Sequence, residues 1–276
     1  MIKKLEIKSP KIKTEKRLLL ISDIHKSKNH KKDNLSKLKE DLKQEFKYID
    51  YIIISGDIID SPNHLIHKDF IEELKKYLED FIEDKKTYIV LGNHDIDGTN
   101  IEEEYLYSIL RNINNLKCLN NKDKIDIGDI SIEGFTPNID YFKTHQGRKY
   151  EFKKQFNEVK RDKLNSKKYN ILITHDSTSI IELSNENKEF LDKDIDLIVS
   201  GHMHNGLVPN KFQNIMNHKG FVGPYKKIFP NYAHGVIKIN NTNIIILGAI
   251  NPIISIPITN KLYGYDATIL TLKKVK

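Results

Sequence analysis

The chain alternates short, almost uninterrupted apolar runs with longer stretches in which apolar residues recur every three or four positions. Runs of the first kind occupy residues 17–22, 51–55, 87–91, 169–174 and 195–200. A strand that is apolar at nearly every position has no face to give to water, so these five predict strands covered on both sides. The second kind predicts amphipathic helices. Leu35, Leu38, Leu42 and Phe46 fall on one helix face, and Phe70, Ile71, Leu74, Leu78, Phe81 and Ile82 on another. Strands and helices alternating on this scale predict an α/β fold.

Two segments depart from the pattern. Residues 125–132 alternate about Gly128-Asp129, and residues 236–246 alternate about a polar centre, so each predicts an antiparallel hairpin. With the apolar run 267–272 they predict a second, partly antiparallel sheet packed beside the first. The greasiest stretch, 244–258, is interrupted by Asn251, Pro252 and Pro257 and reads as buried strands with a turn between them, too broken for a membrane span. Residues 205–232, with Gly206, Gly220, Gly223, Pro209, Pro224 and Pro230, predict a long loop of a length that is often functional. No internal repeat or flexible linker divides the chain, so a single domain over 1–276 is expected.

Composition changes this picture only modestly. A chain of 276 residues, 38% hydrophobic and 30% charged, can bury a substantial core and is neither disordered nor of low complexity. Its one cysteine, Cys118, cannot form an internal disulfide, which fits a reducing compartment. The net charge of +7 would attract phosphate-bearing ligands, nucleic acid or an anionic membrane. Basic runs such as 26–32 lack interleaved aromatic residues for stacking bases, however, so nucleic acid is not favoured. No signal or transmembrane segment is expected, and the expected location is the cytoplasm. The basic segment containing Lys3, Lys4, Lys8, Lys11 and Lys13 adds a weaker expectation of peripheral contact with the inner membrane surface.

Chemistry collects at the ends of the five predicted strands. Asp23-Ile24-His25 follows the first, Gly56-Asp57-Ile58-Ile59-Asp60 the second and Gly92-Asn93-His94-Asp95 the third. His175-Asp176 follows the fourth, and Gly201-His202-Met203-His204 the fifth. Ligands of α/β sheets bind beyond the carboxyl ends of the strands, so these distant residues are expected to share one crevice. Their donors are carboxylate, amide and imidazole, without thiolate. Such a set suits manganese first, and also iron, zinc, cobalt or nickel, but not a structural zinc knot. Asp23, His25, Asp57, Asn93, His175, His202 and His204 are more ligands than one ion takes, which predicts two divalent ions about 3.5–4 Å apart sharing a carboxylate. Taken singly, Asp23 and Asp57 could equally cap the helices that follow them, and His202 with His204 could be a surface pair. The ordered set outweighs those readings.

That ordered set, Asp-x-His, Gly-Asp-x-x-Asp, Gly-Asn-His-Asp, His and Gly-His-x-His, resembles the calcineurin-like metallophosphoesterase superfamily element for element. Residues 220–235 are similar to the tail of its small bacterial YkuE-like branch. The resemblance implies a four-layer sandwich, two mixed β-sheets packed together and flanked by helices. It also implies that Asp23, His25 and His204 bind one metal, that Asn93, His175 and His202 bind the other, and that Asp57 bridges them. His94 would stabilise or protonate the leaving oxygen, and the Asp60 carboxylate would orient it.

The implied reaction is hydrolysis of a phosphodiester or phosphomonoester by a metal-bridging hydroxide, on a small-molecule or lipid-linked substrate. A nuclease of the same superfamily and a catalytically silent metal-site scaffold are the alternatives. Asp95 is expected to support its loop. His30, His64, His67, His145, His218 and His234 belong to no motif and are expected on the surface or in packing, with His234 best placed to approach the crevice. Asn205-Gly206-Leu207 follows His204 where the small bacterial branch usually has Gly-Gly, so the substrate-contacting rim is expected to differ.

Overall fold

A computed structural model of the chain describes residues 1–28, 34–119, 121, 123–144, 147–159, 164–224, 227–251 and 264–275. The chain opens with β1 (Ile2–Ser9), β2 (Lys16–Ile21), α1 (Asn34–Asp41), β3 (Tyr51–Ser55), α2 (Lys68–Ile82) and β4 (Lys86–Val90). The single-turn α3 (Asn93–Ile96) and α4 (Asn100–Arg111) lead to β5 (Leu116–Cys118), β6 (Lys124–Ile127) and β7 (Ile130–Phe135). Next come α5 (Ile139–Lys143), α6 (Arg148–Glu158), β8 (Tyr169–Thr174), α7 (Thr178–Glu186) and β9 (Ile195–Ser200). A long loop separates these from β10 (Gly235–Ile239), β11 (Thr242–Ile246) and β12 (Ala267–Lys274).

These strands form two six-stranded mixed sheets flanked by helices, ordered β1-β12-β2-β3-β4-β5 and β10-β11-β9-β8-β7-β6. Parity along the strands explains why their sequences are apolar throughout. Leu18 and Leu20 of β2, Ile53 of β3 and Val90 of β4 join Ile171, Ile173 and Val199 of the other sheet in one buried cluster. The intervening Leu19, Ile21, Ile52, Ile54 and Ile89 join Leu35 and Leu38 of α1 and Leu74 and Leu78 of α2. Alternate side chains of a strand point to opposite faces, so each strand feeds both the inter-sheet core and the helical layer.

All five predicted buried strands are present, shifted by one residue at most, and both predicted hairpins form, as β6–β7 and β10–β11. Two features differ. β1 is a strand, although its charged residues alternate with only three aliphatic ones; it pairs in parallel with β12 over eight residues at the edge of the first sheet. The run 267–272 does not belong to the second sheet. As β12 it inserts between β1 and β2, antiparallel to β2. Apolar periodicity reports that such a strand is buried but not which distant strand it pairs with.

Three lysines of the amino-terminal segment form close ion pairs: Lys3 with Asp266 (2.6 Å), Lys4 with Glu45 (2.7 Å) and Lys11 with Asp196 (2.8 Å). Among the described residues no helix is long and apolar enough to cross a membrane. The loop expected at 205–232 contains short 3-10 turns at His204–Leu207 and Asn210–Phe212. His30, His145 and the proline-bearing turn at 252–257 lie outside the described residues.

The inter-sheet cluster sets an expected stability effect. Leu20 has no exposed surface within it. Leu20→Ala should lower unfolding stability by roughly 2–5 kcal/mol, read as a lower urea midpoint at unchanged slope.

Candidate metal centre

The carboxyl ends of the two sheets are tied together where the motifs begin. Ser55, the last residue of β3, donates its hydroxyl to the carbonyl of Thr174 at the end of β8 (2.5 Å). The Ser55 carbonyl accepts in turn from the Ser22 hydroxyl (2.8 Å) and from His175 Nδ1 (2.7 Å). That second bond fixes the tautomer of His175 and leaves Nε2 facing Asp57 Oδ2, at 3.1 Å. Beyond β2 and β3 the backbones stay paired, with Asp23 N–H donating to Gly56 O (3.0 Å) and His25 N–H to Asp57 O (2.9 Å).

This path bends the backbone sharply. Asp23, His25 and Asp57 have φ of 56°, 45° and 53°, and His202 and His204 have 67° and 45°. Left-handed conformations at residues other than glycine cost of order 1–3 kcal/mol each and persist only where the surroundings dictate them. Two glycines make the crowding tolerable. A Cβ on Gly92 would lie 2.2 Å from Asp57 Oδ1, and one on Gly201 would lie 1.8 Å from Ser22 Oγ and 2.6 Å from Asp23 Oδ2.

The result is three overlapping groups of donors among the described residues, one of them His25, Asp60 and His94. Asp23, His25, Asp57 and His204 bring one ligand atom each to within 4.8 Å of one another, and Asp57, His175 and His202 do the same. Asp57 belongs to both of these. His204 Nε2 lies 3.1 Å from Asp23 Oδ1 and 3.3 Å from His25 Nε2. His25 Nε2 is 3.7 Å from Asp23 Oδ1 and also from Asp57 Oδ2. His202 donates its backbone N–H to Asp23 Oδ2 (3.1 Å). Asn93 shares a cavity of about 370 Å³ with Asp57, His94, His202 and His204.

Asp23 Oδ1, His175 Nε2 and Asn93 Oδ1 are buried without a hydrogen bond of acceptable geometry. Buried polar atoms in that state are rare in proteins. Here they are lone-pair donors gathered around one space, and oxygen with imidazole nitrogen is the chemistry that divalent transition ions bind. The residues present therefore fit metal.

Electrostatics point the same way. Burial by itself would raise the Asp23 and Asp57 carboxyls, but His204 and His175 beside Asp23, and His175, His25 and His94 beside Asp57, hold both well below the usual carboxylate range. Burial drives His25 down to about 3 and His202 to about 4, so both present neutral rings. His175 goes the other way. Burial lowers it too, but Asp57, then Asp23 and the Ser55 carbonyl, push it up to about 10. Without a metal, the proton on His175 supplies the positive charge that the carboxylates require.

Around this centre the expected supporting residues divide. Asp95 holds its loop: Oδ1 accepts from the backbone N–H of Ile58 (2.9 Å) and Ile59 (3.0 Å), and Oδ2 from that of Gly92 (2.8 Å). His94 donates its backbone N–H to Asp57 Oδ1 (2.8 Å), and its Nδ1 donates to the backbone carbonyl of Asp60 (2.8 Å). The main-chain oxygen of Asp60 thus holds the His94 ring directly, and a carboxylate oxygen of Asp60 lies within 4.8 Å of a ring nitrogen of His94 and of His25. His234 does not approach the crevice; with His218 it lines a separate cavity of about 580 Å³, and its Nε2 donates to Lys219 O (3.2 Å).

Other contributors carry little or no signal in the sequence. Phe142 packs against His202 and His175, with ring centroids 5.5 and 6.1 Å apart. Asn251 donates its side-chain amide to Ile24 O (2.6 Å) and its backbone N–H to Asp23 O (3.0 Å), so it braces the first motif from the far end of the chain. A polar residue inside an apolar run was the one hint of its role. Asp176 accepts from the Tyr141 hydroxyl (2.7 Å) and Thr178 N–H (2.8 Å), and lies 4.0 Å from His202 Nε2.

Comparison with known proteins gives a consistent result. The family model described as calcineurin-like phosphoesterase matches residues 16–206. An uncharacterized metallophosphoesterase of Campylobacter jejuni, Cj0846, is 30% identical over 211 residues, covering 75% of this chain and 49% of that protein. One from Helicobacter pylori is 26% identical over 214 residues, again covering 75% and 49%. The chain spans about half the length of these curated relatives. Among solved structures, a purple acid phosphatase from yellow lupin seeds is 12% identical with a TM-score of 0.51, covers 96% of this chain and 55% of its own, and shares the fold.

The charge arrangement yields a test of metal loading. A ligand whose folded pKa is about 10 is protonated at pH 7, so a divalent ion must displace that proton from His175. Adding manganese to chelator-treated protein at pH 7 should release protons, and the apparent affinity should climb as pH rises from 6 to 9. Calorimetry in buffers of different ionisation enthalpy measures both. Asp57→Asn should weaken binding by more than about tenfold.

Proposed function

The chain belongs to the calcineurin-like phosphoesterase family, and from that premise we propose that it hydrolyses phosphomonoester or phosphodiester bonds at a centre of two divalent ions. The observation that carries this reading is the meeting of two donor groups at one buried carboxylate, Asp57. Asp23, His25 and His204 would hold one ion and Asn93, His175 and His202 the other, with Asp57 between them. Manganese is the first choice, and iron, zinc, cobalt or nickel suit the same donors. When bound, such ions supply Lewis-acid charge toward phosphoryl oxygens and a nucleophile at neutral pH.

The remaining work falls to the chain itself. His94 lines the cavity, and because Nδ1 is committed to the Asp60 carbonyl, its Nε2 is the nitrogen left for a substrate. Burial lowers the His94 pKa, but Asp57, the Asp60 carbonyl and the Asp60 carboxylate more than offset this and raise it. An imidazolium there can donate a proton to the oxygen of the departing group. The edge-on contact of His94 with His25, at 4.8 Å between centroids, restrains the ring. Asp95 fixes the loops on which Asp57 and His94 stand, and Phe142 and Met203 line the same cavity. A silent scaffold would have no need of a proton donor aimed into the cavity. The presence of His94 is why the enzymatic reading is preferred.

The proposal is tested with purified protein and manganese on nitrophenyl phosphate and bis-nitrophenyl phosphate. Turnover of at least one is expected. His94→Ala should lower kcat about 10²–10⁴-fold while metal content, measured by mass spectrometry, stays unchanged. Asp57→Asn and His175→Ala should lose both metal and activity. Asp60→Asn keeps the backbone carbonyl contact to His94 and removes the carboxylate charge beside it, so it should lower kcat by less than His94→Ala does. Equal residual activity across the series would reject the assignment.

A further inference from the structure

We propose that the phosphoester cleaved here carries an apolar organic group, an alkyl or acyl chain, lying along one wall of the cavity while its phosphoryl group faces the candidate ligands. This rests on the phosphoesterase reading above and names its substrate class. The cavity of about 370 Å³ has two kinds of lining: beside the candidate ligands and His94, its wall is Phe142, Met203, Leu207, Val222, Gly223 and Pro224.

A nucleoside or sugar leaving group needs hydrogen-bonding partners beyond its phosphate, since polar groups stripped of water without partners weaken binding. Past the candidate ligands and His94, the described lining offers no side-chain hydrogen-bonding group beyond the thioether of Met203. What it does supply is aliphatic and aromatic surface, with Phe142 and Met203 each 6% exposed.

The apolar wall continues past the rim. Val222 and Ile228 face one another in an antiparallel bridge, braced by Gly223 N–H to Lys227 O (2.9 Å) and Phe229 N–H to Phe221 O (3.0 Å). Residues directly opposite in such a pair project on the same face. Ile228, 71% exposed, therefore stands beside Val222, 42% exposed, at the mouth of the cavity. Exposed aliphatic side chains that extend a half-buried apolar wall form a track for a chain longer than the cavity itself.

Matched esters differing only in the apolar group decide the matter: ethyl against octyl phosphate, and methyl against octyl nitrophenyl phosphate, each below its aggregation concentration, with uridine monophosphate as the polar comparator. In manganese-loaded protein, kcat/KM should be at least about tenfold higher for the octyl member, a preference that about two fully buried methylenes would supply. Ile228→Asp and Val222→Asp, both at exposed positions, should pull the octyl-to-short ratio toward one. Turnover of the short esters with no chain-length preference, or a preference for uridine monophosphate, would overturn this inference while leaving the phosphoesterase reading intact. An unchanged ratio in both variants would overturn the assigned track. No turnover of any ester would overturn the parent reading and this one together.

Discussion

Asp23 and Asp57 are carboxylates with essentially no exposed surface, and the ion-pair partners the described structure gives them are imidazoles. Removing a carboxylate from water costs several kcal/mol even after relaxation, and placing two of them around the same histidines adds mutual repulsion. The left-handed backbone at five of the candidate ligands adds a further cost. A fold tolerates such a centre only if the surrounding packing is strong enough to hold it, and a bound cation would relieve much of the burden. Binding free energy then becomes folding free energy, so the same geometry that makes the centre costly when empty makes metal a stabilising ligand.

Neither sheet carries a complete set of donors. Asp23, His25, Asp57 and Asn93 follow strands of the first sheet, whereas His175, His202 and His204 follow strands of the second. Site geometry is therefore a property of the inter-sheet packing. Leu18, Leu20, Ile53 and Val90 against Ile171, Ile173 and Val199 set the spacing of the two sheets, and Ser55, which reaches the carbonyls of Thr174 and Val199, sets their relative position at the rim. Interiors packed this closely transmit small displacements. A core substitution well away from the centre can shift donors that must converge within a fraction of an ångström.

The parts legible in the sequence are those where local pattern and chemistry coincide. A strand buried on both faces must be apolar throughout, so the first Asp, Asn or His after it stands out, and all five motifs are visible for that reason. β1 and β12 were harder because their identity depends on pairing across more than 260 residues, as the Ile2–Ala267 register shows, and local periodicity holds no information about a distant partner. The hydrogen bond to His94 Nδ1 was hidden for another reason: it is made by the main-chain oxygen of Asp60, an atom common to every residue, beside the carboxylate that the sequence does show. Phe142 was invisible because an aromatic residue in a helix reads as core, which it is, while it also touches two of the histidines.

The support of the last histidine pair shows why the family motifs do not define the centre by themselves. The matched segment closes at residue 206, just past His204, in a loop where Asn205 also has a left-handed φ of 56°. Asn205 donates its side-chain amide to Asp266 (2.7 Å), which also receives Lys3 from β1 (2.6 Å). Asp266 N–H in turn donates to Ala249 O (3.0 Å), two residues before the Asn251 that braces Asp23. Asp266 immediately precedes β12, the strand inserted between β1 and β2. The insertion therefore does more than complete a sheet. It carries a buried carboxylate to the one place where it can hold the loop of the second sheet against the first, and so the donor set written between Asp23 and His204 takes its shape from residues that follow it.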